Sequence, residues 1–406
     1  MDEEINCAIN MLDSPFSLLS WFKAQKVNDA KVLVAGAGAL GNEVLKNLAL
    51  FGVGHIVIVD YDTIEQSNLS RSILFRPDDA DKGLLKAEVA ARRIKEINPE
   101  IRVLPVCGNL MTDVGLGLYR RMDVVIGCLD NLLSRILLNR LCYRVGKTWI
   151  DGGIGDLEGQ VSVYQPGKNC YECQLTEEEK MDFNKRVSCA GVAKMNEHVG
   201  RVATTPVSAS IIAAVQAQEA MKMIHKEDID SGVFSLLAGK LFAYEGMHPS
   251  FEIYDFSSDN PECTAHENWS PVLNAPELSA DTPIHVALQM LGDLLDVFTV
   301  EINQRNNTFV DKISSRKGNL NFFPMLPESK IPEYINQSVE LRDMQVNEGF
   351  YQNRIENIDK SFPYPELTLK EVGIPYFDII QATTEDGVFY VELSKDKEKY
   401  DRFFTT

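Results

Sequence analysis

The 406-residue chain carries 59 acidic against 40 basic side chains, a formal charge of −19, and 45% of it is hydrophobic. A surface of that sign repels nucleic-acid phosphates and anionic membranes, so neither is an expected partner. No apolar run is long enough to span a bilayer, and the acidic start MDEEINCAINMLDS lacks the basic segment and apolar stretch of a signal peptide, so a cytoplasmic location is expected.

In chain order, the first half alternates strands with helices. Residues 31–35 are a short apolar run leading into glycines, and residues 42–51 have helical spacing, with Val44, Leu45, Leu48 and Phe51 on one side. Residues 56–60 read as a second buried strand, 84–97 as an Ala-rich helix, 102–106 and 124–127 as strands, 132–145 as a helix and 148–151 as a strand. This rhythm predicts an α/β fold, a Rossmann-like and mostly parallel sheet with helices on both faces. From 160 to 164 the pattern becomes period two, as in an added strand. Residues 176–205 show no periodicity, and a connection of that length is usually functional. A helix over 207–225 and two strands, 241–244 and 251–254, follow. Composition shifts between Pro261 and Pro283, so the chain is expected to divide into residues 1–270 and a smaller α+β domain, 280–406. The end reads strand, turn, strand, with Glu385-Asp386-Gly387 between 378–383 and 388–393.

Gly36-Ala-Gly38-Ala-Leu-Gly41 follows a strand and opens a helix, which lets the backbone approach a phosphate at the helix N-terminus. Asp60 ends the next strand, where a carboxylate can take ribose hydroxyls. Asp62, Asn68, Arg71 and Lys86 follow, and two cations near a helix N-terminus suit a triphosphate better than a nicotinamide dinucleotide. Asp130 and Asn131 follow a further strand at its ligand-holding end, where Asp130 could take Mg²⁺. Taken singly, Arg71 and Lys86 also fit solvated surface charges, Asp130 a helix cap and Asn68 a turn residue.

Cys170-x-x-Cys173 and Cys263-x-x-His266 make two short pairs of soft or borderline ligands. Each spacer lets one tight turn present both donors to a tetrahedral Zn²⁺. Cys107, Cys128 and Cys142 lie in apolar patterns and are read as core residues. Cys189 lies in the aperiodic segment, behind Lys185 and Arg186, two cations that favour the thiolate.

The run GAGALGNEVLKNLALFGVGHIVIVDYDTIEQSNLSR, with LFRP and KAEVAARRI after it, resembles the adenylation domain of the ubiquitin-activating superfamily and of the related bacterial sulfur-carrier adenylyltransferases of the ThiF/MoeB type. The resemblance extends to about residue 270. It implies that the glycine turn and Asp60 hold ATP, that Asn68, Arg71 and Lys86 neutralise its phosphates, and that Asp130 binds magnesium. It also implies adenylation of the C-terminal carboxylate of a ubiquitin-like protein, and it strengthens the reading of Cys170, Cys173, Cys263 and His266 as zinc ligands. In relatives a cysteine in the segment of Cys189 receives the activated carboxylate as a thioester. Two departures stand out. Ser72 replaces a common glutamine, and no arginine precedes Arg71, where relatives send one into a partner subunit. A homodimer or heterodimer is expected. Residues 367–374 and the hairpin after them resemble a β-grasp unit, which in eukaryotic members docks a conjugating enzyme. A rhodanese end is disfavoured, because no cysteine follows Cys263. Three functions fit: activation with thioester transfer, sulfur-carrier adenylation that stops at the adenylate, or a non-catalytic dimer partner.

Overall fold

A computed structural model of the chain describes residues 15–179, 204–256, 259–304, 307–314, 321–337 and 351–404. Its larger sheet grows from the alternating first half: β1 (Lys31–Ala35), α1 (Ala39–Phe51), β2 (His55–Val59), α2 (Lys86–Ile97), β3 (Arg102–Val106), α3 (Leu116–Arg120), β4 (Val124–Gly127), α4 (Leu132–Arg144) and β5 (Trp149–Ile154). β6 (Glu158–Tyr164), α5 (Pro206–Ile224), β7 (Lys240–Glu245) and β8 (Ser250–Asp255) extend it. The eight strands run in the order β3-β2-β1-β4-β5-β6-β7-β8. β1 to β5 pair in parallel, and β6, β7 and β8 add on antiparallel. The mostly parallel, Rossmann-like arrangement is therefore present, with strands running longer than the periodicity alone predicts at β5 and β6.

Central strands buried on both faces need apolar side chains on both. Val32, Val34, Ile56 and Ile58 face one way, onto Val44, Leu45 and Leu48 of α1, Ile94 of α2 and Ile212 of α5. Leu33, Ala35, Val57 and Val59 face the other way, onto Leu116 and Tyr119 of α3 and Leu138 and Leu141 of α4. Helices thus lie on both faces. The second face is also covered by Phe377, Ile379 and Phe403 from the far end of the chain.

The smaller sheet-containing region supplies that cover. β9 (Val272–Ala275), α6 (Ile284–Leu295) and β10 (Val300–Asn303) open it. β11 (Phe309–Ser314), β12 (Asn321–Phe322), β13 (Leu326–Pro327), β14 (Tyr351–Ile355), β15 (Asn357–Ile358), β16 (Ile379–Thr384) and β17 (Gly387–Leu393) complete it. Its five-stranded sheet has the order β15-β10-β16-β17-β9, and β11 to β14 form a separate small sheet. The expected hairpin is present, with its turn on Glu385 and Asp386, since Gly387 already pairs with Thr384. Alternation along β16 divides it between two cores: Ile379 packs on the large sheet, and Ile380 packs with Leu288 and Leu291 of α6. Phe377 and Asp378, just before β16, are bolted to α3. Gly117 N–H donates to the Phe377 carbonyl at 2.9 Å, and Leu116 N–H to Asp378 Oδ1 at 2.8 Å. Arg121 makes a two-pronged bond to the fully buried Glu392 at 2.7 and 2.8 Å. Among the described residues, no helix is long and apolar enough to cross a membrane.

Candidate nucleotide site and metal centre

Two close approaches shape the glycine turn. Gly36 leaves β1 at φ 99°, and a Cβ there would lie 2.4 Å from the Cys128 carbonyl oxygen. A Cβ on Gly41 would lie 2.0 Å from the Gly36 carbonyl oxygen. α1 therefore starts inside the turn at Ala39, with Gly38 as N-cap, and not at residue 42 where the apolar spacing begins. The first N–H groups of a helix have no intrahelical partner, so this turn offers donors to an anion.

Asp60 lies just past β2 and accepts two backbone donors, Ala37 N–H at 2.7 Å and Asp62 N–H at 2.8 Å. It ties the glycine turn to the second strand. Burial raises its pKa, against which Lys86 and the two N–H groups act. Residues 84 and 85, expected in a helix, are instead extended: Ile64 N–H donates to the Leu84 carbonyl at 2.8 Å, and Thr63 bridges Leu85. The helix then begins at Lys86, whose own N–H donates to the Asp62 carbonyl at 2.9 Å. This sets the Lys86 ammonium, nearly buried at 9% exposure, 2.7 Å from an Asp62 carboxylate oxygen. Past β4, Asp130 is exposed and accepts from the Asn131 amide at 3.0 Å. Asn131 Oδ1 caps α4, accepting Ser134 N–H at 2.8 Å, so the cap is Asn131 and not Asp130. The carboxylates share one locale: burial, then Asp62, Asp130 and Asp60, push the Tyr61 hydroxyl up to about 12. Asp60, Asp62, Lys86 and Asp130 thus gather beyond the C-terminal ends of β2 and β4, where open sheets hold ligands.

Asn68 and Arg71 are engaged locally. Asn68 Oδ1 accepts Glu65 N–H at 2.9 Å and caps a short turn, and Arg71 Nη1 donates to the Ser67 carbonyl at 3.3 Å. Cys107, expected in the core, is exposed where β3 ends, whereas Cys128 and Cys142 are buried as expected. The residue just past a strand escapes its packing, which apolar patterning does not register. Cys189, Lys185 and Arg186 lie outside the described residues.

Three polar side chains around this edge, Asn42 and Gln216 buried and Arg135 half-buried, escape sequence reasoning. Asn42 lies beneath the glycine turn. Arg135 donates to Asp151 Oδ1 at 3.0 Å and to the Leu129 carbonyl at 2.7 Å. Gln216 donates to the Gly127 carbonyl at 2.9 Å. The available signal was a polar residue interrupting an apolar helical face, as Gln216 does in α5.

The two ligand pairs meet. Cys170, Cys173, Cys263 and His266 offer donor atoms that all lie within 4.8 Å of one another. Sulfurs about 2.3 Å from a tetrahedral zinc stand roughly 3.8 Å apart, so the cluster fits one ion with modest contraction. Burial pushes the Cys170 thiol up to about 11, an environment in which thiolates need a cation. The surroundings orient the donors. Asn139 Nδ2 donates to Cys170 Sγ at 3.2 Å, Asn260 N–H to Cys173 Sγ at 3.3 Å, and Tyr143 stacks on His266 at 4.8 Å.

Residues 15–265 match the sequence model described as the ThiF family. The chain belongs to the ThiF family. The chain is 32% identical over 234 residues to a SAMP-activating enzyme E1 of Haloferax volcanii, covering 58% of this chain and 79% of that protein. It is 31% identical over 242 residues to a molybdopterin-synthase adenylyltransferase of Escherichia coli, covering 59% of this chain and 88% of that one. A SUMO-activating enzyme subunit 2 of Dictyostelium discoideum is 39% identical over 151 residues, covering 37% of this chain but only 22% of that protein. The ThiF match ends at residue 265, before β9 and the smaller sheet begin.

Proposed function

We propose that this ThiF-family protein is an ATP-dependent adenylyltransferase acting on the C-terminal carboxylate of a ubiquitin-like or sulfur-carrier protein. The observation that carries this reading is the gathering of the glycine turn, Asp60, Lys86 and Asp130 at one sheet edge. Similarity to a SAMP-activating enzyme and to a molybdopterin-synthase adenylyltransferase supports it.

In the proposed reaction, the carrier's terminal carboxylate oxygen attacks the α-phosphorus of ATP. The bond to the bridging oxygen breaks, pyrophosphate leaves and a mixed anhydride with AMP remains. Little of this requires covalent help from the protein. Lys86 and Arg71 stabilise charge on the transferring and leaving phosphates, and Lys86 is nearly desolvated, where such stabilisation is strongest. Asp60 takes the ribose hydroxyls, while Asn68 and Asn131 hold the loops that line the edge. Asp130, exposed and oriented by Asn131, would hold Mg²⁺, an ion that neutralises phosphate charge when bound. Cys170, Cys173, Cys263 and His266 would hold a structural Zn²⁺ joining two distant segments.

Beyond the adenylate, Cys189 attacks the activated carbonyl, AMP leaves, and the resulting thioester passes to a conjugating enzyme that docks on the C-terminal region. Similarity to a SUMO-activating subunit supports this extension. Similarity to a molybdopterin-synthase adenylyltransferase supports the alternative, in which a sulfur carrier is adenylated and no thioester forms. The Arg71, Lys86 and Asp130 set speaks against a non-catalytic partner, and the protein works as a homodimer or heterodimer. The test is pyrophosphate exchange into ATP with candidate carriers, for the wild type and Cys189→Ala. Carrier-dependent exchange by both, with a reductant-sensitive adduct on the wild type only, supports the full sequence. Exchange without any adduct selects the sulfur-carrier alternative, and no exchange by the wild type removes the adenylyltransferase reading.

A further inference from the structure

Asn42 is fully buried in the first turn of α1, and its amide makes three hydrogen bonds. Nδ2 donates to the Ala37 carbonyl at 2.7 Å and to the Gly38 carbonyl at 3.0 Å, and Oδ1 accepts Leu74 N–H at 2.8 Å. The partners settle which way the amide points, since only its oxygen can meet an N–H and only its nitrogen can serve two carbonyls. The consequence for the turn follows from peptide geometry. Across a trans peptide, C=O and the next N–H point opposite ways. Drawing the Ala37 carbonyl inward therefore aims the Gly38 N–H outward, and the Gly38 carbonyl, which also accepts the Asn42 backbone N–H at 2.9 Å, turns the Ala39 N–H the same way. The space beside Gly38 is open, since a Cβ built there meets nothing within 4 Å. The third bond reaches the stretch three residues past Arg71, so one side chain links the glycine turn to the loop that carries this cation.

We propose that Asn42 is a positioning residue for the nucleotide: it aims the Gly38 N–H donor at the phosphates and holds the Arg71 loop in register with it. The proposal rests on the ATP-binding reading above. An aliphatic residue would fill the same space, but it would leave the Ala37 carbonyl and the Leu74 N–H unpaired, while the Gly38 carbonyl would keep only the backbone N–H of residue 42.

The test is ATP binding by calorimetry from pH 5.5 to 8.5, in the presence of magnesium, with circular dichroism to check folding. Asn42→Asp keeps the acceptor for Leu74 and loses both donors when ionised. When protonated it regains one O–H for Ala37 or Gly38. The expected result is Kd for ATP raised at least tenfold at pH 8 and restored to within about threefold of wild type near pH 5.5. Other ionisable groups around the turn, namely Asp60, Glu43, Lys46, Arg71, Arg76 and Cys128, are shared with the wild type, so the ratio of the two proteins is what is read. Asn42→Leu should bind at least tenfold more weakly at every pH. Should Asn42→Asp not fold, Asn42→Ser should show the same weakening with no pH-dependent recovery. Binding within twofold of wild type at pH 8 by any of these variants overturns the proposal, as does a weakening of Asn42→Asp that does not recover with acid. A wild type that binds no ATP overturns instead the reading on which it rests.

Discussion

Lys86, Arg71 and Asp130 bear the electrostatic work assigned to the site. Lys86, the first residue of α2, is nearly buried beside Asp62, and Asp130 is exposed. Lys86→Ala and Asp130→Ala should each lower carrier-dependent pyrophosphate exchange by about 10²-fold or more, the scale of losing one preorganised stabilising group, with an unchanged circular dichroism spectrum. Wild-type exchange by either variant would remove that residue from the mechanism. At this scale the sequence was readable where chemistry is carried by short runs. The glycine turn, Asp60, Lys86 and both ligand pairs sit at spacings that one turn or one strand end explains. Asn42, Arg135 and Gln216 were not readable, because each acts on carbonyls that only the fold brings near.

α4 joins the candidate nucleotide edge to the cluster of Cys170, Cys173, Cys263 and His266. Asn131 caps it beside Asp130, and Asn139 and Tyr143, farther along, touch Cys170 and His266. Protein purified without chelator should carry one zinc per chain by elemental analysis. Stripping the metal should lower the melting temperature by at least about 5 °C, since it unlinks residues 93 apart in sequence. Metal-free protein with an unchanged melting curve would contradict this. The join between α3 and β17 makes a second claim at this scale. Although burial acts to raise it, Arg121 and Arg120 hold the Glu392 carboxyl below its usual range. A depressed carboxyl stabilises fully above its unfolded pKa of about 4.3, and that share is lost as pH falls through the folded value. Arg121→Leu should cost about 3 kcal/mol in denaturant unfolding at pH 7 by leaving a buried carboxylate short of its main partner. A loss below about 1 kcal/mol would show that Arg120 suffices.

Across the whole molecule, the alternation of strands and helices announced the large sheet because each element's period is local. The second cover on that sheet was not announced. It depends on β16 splitting its side chains between two cores and on Phe377 and Asp378 meeting α3 some 260 residues away, a pairing that no local period encodes. The same packing places the ThiF region and the smaller sheet in one continuous body, with the ligand edge at the C-terminal ends of the parallel strands. The function assigned to that edge is transfer of an adenylyl group to a protein carboxylate. Mass spectrometry of candidate ubiquitin-like and sulfur-carrier proteins, after incubation with the wild type, ATP and magnesium, reads it directly. The expected result is a carrier heavier by one adenylyl group, absent when its C-terminal residue is removed and absent with Lys86→Ala. Carriers of unchanged mass alongside a wild type that binds ATP, or a mass gain that survives loss of the carrier's C-terminal residue, would contradict it.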